Sequence, residues 1–295
     1  MKDNTLLSKL SLFAAAVIWG FAFVAQRQGM DFVDPLTFNG IRFLLGALAL
    51  LPAFLYFKPL IPSGLVLKQL ILASVLAGLA LFIASTFQQV GMIYTSAGNG
   101  GFITSLYIIF VPVFGFFRKQ PSSVRVWLGA ILAFTGLYLL SVDADFRMQT
   151  GDILIFIGAI FWAMHIIVLS YLSPRFNFVL LAFGQFLFTG ILSLFLAFIF
   201  EKPQFESINQ AIFPILYAGV CSVGIGFTLQ LVGQKNTRAD HAALILSLEA
   251  VVAAIGGWLI LDEKMESKAI IGCGLMLAGV ILSQLRFQKS IEPAY

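Results

Sequence analysis

"QQVGMIYTSA" at residues 88–97 returns as "QLVGQKNTRA" at residues 230–239, with Gln, Val, Gly, Thr and Ala at matched places. The match runs on without a gap. "GNGGFITSLYIIFVPVFG" (98–115) falls on "DHAALILSLEAVVAAIGG" (240–257), which sets Ser105-Leu106 on Ser247-Leu248 and Gly115 on Gly257. One further residue of offset aligns Trp19 with Trp162, Arg42 with Gln185, Gly129 with Gly272 and Gly136 with Gly279. Any two apolar helices share Leu and Ile by chance. Shared Gln, Thr, Trp and Gly at a nearly constant offset mark a duplicated unit.

The composition of that unit suits lipid. Hydrophobic residues make up 60% of the 295 and charged residues 11%, and the mean hydropathy is +0.96. Soluble domains carry about 25% charged residues. Ten segments reach the roughly 20 apolar residues that a membrane crossing needs: 10–27, 35–57, 67–93, 98–117, 125–142, 152–172, 177–200, 210–232, 239–261 and 268–286. The breaks between them are short and rich in turn residues, and none is long enough for a soluble domain. Repeats at 8–142 and 151–286 therefore hold five spans each. An odd number makes the second repeat enter the membrane from the opposite side. The predicted fold is an all-α integral membrane protein of ten transmembrane helices in two inverted five-helix repeats. Inverted repeats with a site near the midplane are characteristic of secondary transporters.

Charge sets the orientation. Twelve of the 18 Lys and Arg residues, Arg286 and Lys289 among them, flank the spans on one side. Five, including Arg147 and Lys264, lie on the other, and Arg42 stands inside the second span. The richer side is expected to be cytoplasmic, which puts both termini in the cytoplasm of a cell-membrane protein. The net charge of +4 is thus a topological signal, and no nucleic-acid partner is expected. The first apolar run reaches about Ala25 without a cleavage site and reads as a retained span. Cys221 and Cys273 lie in apolar runs and read as small buried hydrophobes.

Three stretches carry a likeness to a known family: "VIWGFAFVAQ" (17–26), "PLTFNGIRFLLGAL" (35–48) and "ALILSLEAVVAAIGGWLILDE" (243–263). Over essentially its whole length the chain resembles the EamA branch of the drug/metabolite transporter superfamily. That family usually shows Ser-Leu-Glu-Pro in the ninth span and Gly-Glu or a similar pair at its exit. Here Ala250 replaces the proline and Asp262-Glu263 stands at the exit, while Tyr107 holds the place of Glu249 in the first repeat. The resemblance implies a carrier of small metabolites, in a family whose members differ widely in substrate.

Glu249 is the foremost site candidate. It lies ten residues into its span, about 15 Å deep at 1.5 Å per residue, where a charged side chain costs about 2.5–3.5 kcal/mol on insertion scales. On an unbroken helix its face is shared by Ala242, Ala253 and Gly256, whereas Leu244, Leu248, Val251 and Ile255 point elsewhere. A small-residue stripe turns the acid inward, either as a proton-linked or substrate-contacting group or as a protonated structural one. Arg42 shares a face with Asn39, Gly46 and Ala49. It reads as an anion or gate contact, or as a side chain snorkelling to the headgroups. Trp19 and Trp162 offer cavity walls or core packing. His165 offers a proton relay to Glu249 or a buried hydrogen bond. Tyr107, by repeat symmetry, points its hydroxyl into the cavity of Glu249. Gln185 is the repeat mate of Arg42, and Gln88 and Gln230 fall near span ends. The paired glycines 129 and 136, 272 and 279 read as packing seams between helices or between the protomers of a homodimer.

No P-loop, HExxH, Gly-x-Ser-x-Gly or Cys/His cluster is present. No enzymatic activity, cofactor or metal is expected. The expected function is a secondary transporter, an exporter of small metabolites or amino-acid-like solutes, working by alternating access with Glu249 as the proton-coupling candidate. An uncoupled exchanger or a non-transporting membrane sensor are the alternatives.

Overall fold

The computed structural model describes residues 2–141, 150–263 and 267–284. Arg147, Lys264, Arg286 and Lys289, which entered the charge count, lie outside the described residues, as do the repeat ends at 142 and 285–286. Among the described residues all regular structure is helical. Nine helical stretches are long and apolar enough to cross a membrane: Thr5–Gly29, Pro35–Phe57, Gly64–Gly91, Ala97–Phe117, Thr150–Leu172, Phe178–Phe200, Ile212–Gln234, Ala239–Ile260 and Ser267–Gln284. The remaining expected span, the fifth, is helical over Val124–Leu139 and falls short of that length. Below, the ten are called spans one to ten in chain order. Leu72, Phe195, Phe198 and Ile270 are more than half exposed, an outer surface that suits lipid and not water. The protein is a multi-pass membrane protein.

The packing repeats with the sequence. Span one lies against span nine, and span six, its repeat mate, lies against span four. Span one also lies against span eight, as span six does against span three, and span two meets span eight as span seven meets span three. Spans two and seven, four and nine, and five and ten pair with their own mates. Each helix of one half therefore has its main partners in the other, and the interface between the halves runs through the middle of the molecule.

Spans five and ten show what the paired glycines do. A Cβ on Gly136 would stand 2.4 Å from the Gly272 carbonyl oxygen and 2.8 Å from the Met276 nitrogen; one on Gly129 would stand 2.6 Å from the Gly279 oxygen. The seam is thus inside the chain, and the atoms in the way are backbone. Gly136→Val is expected to force the helices apart at about 1–3 kcal/mol, lowering the melting temperature in detergent by about 2–4 °C per kcal/mol. An unchanged melting curve would show that the seam yields freely.

Four of the described spans depart from the uninterrupted helices that hydropathy suggests. Span two breaks after Leu48 and restarts at Leu51. Span four breaks after Thr104 and restarts at Tyr107, and span nine breaks after Leu246 and restarts at Glu249. Span eight runs as a π-helix over Tyr217–Phe227, a wide winding frequent at functional sites. Cys221 and Cys273 are free and only half-buried, so the expectation of full burial does not hold.

Candidate functional site

The breaks in spans four and nine fall on the repeated Ser-Leu pair. At each, the chain tightens by a residue. The Leu106 N–H donates to the Ile103 carbonyl and the Leu248 N–H to the Ile245 carbonyl, a three-residue reach in place of four. The Ser247 hydroxyl donates back to Leu244 O at 2.9 Å, competing with the helix for its own backbone. The Ser105 hydroxyl instead crosses to Ser247 O at 3.3 Å. The two breaks therefore touch, and the residue after each meets its mate: the Tyr107 hydroxyl donates to Glu249 Oε1 at 2.8 Å. Both side chains are buried, with Glu249 4% exposed. Leu244 and Leu248 are buried as well as Ala242 and Ala253, so span nine is packed on more than the small-residue face.

These two residues border a small central cavity of about 30 Å³, near the volume of a single water. Trp19, Arg42, Gln88, Trp162 and Gln230 line it too. Seven of the ten residues singled out in the sequence thus share one cavity. Arg42 is buried rather than snorkelled, with its guanidinium 5.0 Å from the Phe43 ring centre and 5.7 Å from that of Phe38. Gln88 and Gln230 are buried and not interfacial. Gln88 accepts from Trp162 Nε1 and donates to Gln26 Oε1 at 3.2 Å.

The other three lie behind the walls. His165 faces Gln185 Oε1 at 3.0 Å, and Asn39 donates to Ser85 O at 3.1 Å. None of them is among the residues lining the cavity. His165 packs edge-on against the Phe227 ring at 5.9 Å, and Phe227 is itself a wall. It makes no hydrogen bond to Glu249, so no His165–Glu249 relay is assembled here.

A vestibule opens on each side of the cavity, and the three share no lining residue. One, of about 690 Å³, is lined by Arg118, Arg175, Lys235 and Arg238 together with Ser122 and Asp240. The other, of about 620 Å³, is lined by Arg27, Asp31, Asn99 and Glu263. Each is flanked by a carboxylate clasp between spans four and nine. At the second vestibule Glu263 accepts from the backbone N–H of Ala97 at 2.7 Å and of Gly98 at 3.1 Å, capping the start of span four. At the first, Asp240 accepts from the Ser122 hydroxyl at 2.8 Å and from Arg238 at 3.0 and 3.2 Å, and Arg238 also donates to Pro121 O at 3.3 Å. Ala97 and Gly98 align with Ala239 and Asp240, and Pro121 with Glu263. The two clasps are pseudo-symmetric counterparts, one at each end of the same helix pair.

Known proteins match this arrangement along its whole length. A sequence profile described as the EamA-like transporter family matches twice, over residues 6–142 and 149–285. The chain belongs to the EamA-like transporter family. An uncharacterised transporter of Archaeoglobus fulgidus is 34% identical, over 95% of this chain and 87% of its own. The uncharacterised transporter YoaV of Bacillus subtilis is 25% identical, over 95% and 97%. A solved structure superposes with a TM-score of 0.78 at 16% identity, covering 94% of this chain and 98% of that one, a likeness of fold.

In this EamA-like transporter the sequence reading missed Phe227, Gln26, Thr104 and Ser222 as wall residues. Phe227 stacks on Trp162 at 5.8 Å and tilts against Trp19 at 4.6 Å. It had no polar signature, and only a neighbour betrayed it. A Cβ on Gly226 would fall 2.5 Å from Trp19 Nε1, the atom that donates to Ser222 O at 3.1 Å. Gly226→Ala is expected to displace Trp19 and cut transport several-fold while the protein still folds. Transport at the unaltered rate would remove Trp19 from the site.

Proposed function

We propose that the protein is a secondary transporter, not an enzyme. It exports small metabolites or amino-acid-like solutes across the cytoplasmic membrane, with both termini in the cytoplasm. Two halves, 8–142 and 151–286, rock about the interface that holds the cavity. The observation that carries this reading is the meeting of the two broken helices at Tyr107 and Glu249, in a small cavity between two vestibules. An opening toward one vestibule with the other closed is alternating access. Glu249 binds a proton or contacts cargo, Arg42 contacts cargo, and the Glu263 and Asp240 clasps hold the two faces shut in turn. His165, Gln185 and Asn39 support the walls that do the binding.

The test starts in cells. Metabolites inside and outside cells lacking and overproducing the protein are compared, and the solute that changes most is reconstituted in proteoliposomes. Counterflow of that solute, dependent on the protein, is the expected result. No counterflow with any solute that changes in cells would reject transport and favour a sensor.

A further inference from the structure

We infer that the cargo is a small organic anion with an apolar body, held by Arg42, and that Glu249 takes up a proton when it binds. This rests on the transport reading above and names its substrate class and coupling.

The first observation is the state of Arg42. Of the described Lys and Arg residues it is the buried one. The described ion pairs are Arg27–Asp31 and Arg238–Asp240, so Arg42 has no carboxylate partner, and its Nε is buried without an acceptor. Phe38 and Phe43 touch its face and leave the in-plane donors unused. A guanidinium fork fits carboxylates and other oxyanions in two-point geometry. A buried charge without a partner is destabilising, and an anion on those donors supplies the partner.

The remaining walls select the rest of the molecule. The closed cavity has room for about one water, so the cargo enters when it opens toward a vestibule; there Trp19, Phe23, Trp162 and Phe227, which line it, favour an apolar body. Gln230 Oε1 and Thr104 Oγ1 are buried there without a partner, ready for one or two polar groups on it.

Charge balance then couples the proton. Arg42, Tyr107 and Glu249 are the titratable groups lining the cavity; His165 lies behind Phe227. With the cavity empty, Arg42 and an ionised Glu249 sum to zero. With an anion on Arg42, zero is restored when one proton from water binds the Glu249 carboxylate. Anion and proton then cross together as a neutral pair, in the direction set by the sum of their gradients: outward when the cargo gradient exceeds the pH gradient, inward when an imposed pH gradient dominates.

Purified protein in detergent tests this with isosteric pairs: benzoate against benzamide, and benzenesulfonate against benzenesulfonamide. Thermal stabilisation reads binding, and a pH indicator in weakly buffered solution reads protons. Each acid is expected to stabilise and its amide not. Benzenesulfonate, which brings no proton of its own, is expected to draw about one proton per molecule bound. Arg42→Gln should lose the preference for acids, and Glu249→Gln should bind benzenesulfonate without drawing a proton. If Arg42→Gln does not fold, Arg42→Lys should bind more weakly and keep the preference. Equal stabilisation by acid and amide, undiminished acid binding by Arg42→Gln, or binding without proton uptake in the unaltered protein would each overturn the inference. Chloride or phosphate stabilising as well as the organic acids would show a bare-ion site and overturn it too. Flux separates the two readings. Benzenesulfonate bound but never carried into proteoliposomes rejects transport and leaves the anion site, whereas carriage untouched by Arg42→Gln rejects the site and leaves transport.

Discussion

Replacing Glu249 by Gln is expected to stop a pH gradient from driving accumulation while exchange of cargo continues. The substitution keeps the side chain's size and an oxygen for the Tyr107 hydroxyl, which donates to Glu249 at 2.8 Å, and removes the proton site alone. One proton moving with the cargo across a difference of one pH unit is worth about 1.4 kcal/mol, or tenfold accumulation. Proteoliposomes holding the unaltered protein, with acid outside, should approach that ratio. Glu249→Gln should stay near one, and counterflow between equal pH values should persist in both. Glu249→Ala is a different experiment. It leaves the Tyr107 hydroxyl buried without an acceptor, at about 1–3 kcal/mol, and a loss of flux there would mix folding with coupling. Full pH-driven accumulation by the Gln variant would exclude Glu249 as the proton site.

The parts of this molecule legible in the sequence were those that repeat or that break a rule of lipid. Duplication shows as two matching halves, because Gln, Trp and Gly do not recur at a nearly constant offset by chance. Glu249 and Arg42 stood out because charge is rare inside a membrane. Tyr107 came from symmetry alone, and the structure sets it on Glu249. What stayed hidden depends on local backbone. The Ser-Leu pair is visible as a match between repeats, yet nothing in hydropathy says that it breaks a helix. The π-helix of span eight has no composition of its own. Phe227 and His165 looked equally apolar and equally polar to many neighbours, and which lines a cavity and which lies behind it is decided by rotation about a helix axis. In the sequence Glu263 shows only as an acid at a helix exit. Its partners, Ala97 and Gly98, are backbone amides, which carry no sequence signal.

Those amides lead to the second large effect. Glu263→Ala and Asp240→Ala are expected to open the cavity toward opposite faces. Each carboxylate joins spans four and nine at one end, and hydrogen bonds to a charged group are worth about 1.5–3 kcal/mol. Loss of one clasp should therefore raise the fraction open on its own face by about 10- to 100-fold. Thr104 supplies the reporter, since it lines the cavity and its hydroxyl bonds to nothing, so Thr104→Cys is close to isosteric. With Cys221→Ser and Cys273→Ser to clear the background, a membrane-impermeant maleimide is added to one side of oriented vesicles. Glu263→Ala should speed labelling from the side of the Arg27 and Asn99 vestibule. Asp240→Ala should speed it from the side of the Arg118 and Arg175 vestibule. Glu263→Gln and Asp240→Asn keep one acceptor each and should fall between. If the two Ala variants speed labelling from the same side, the clasps are general staples, and the symmetry of their positions has no part in switching access. If each speeds its own, two carboxylates at opposite ends of span nine divide the cycle between them, and Tyr107 and Glu249 in the middle are left to handle cargo and proton.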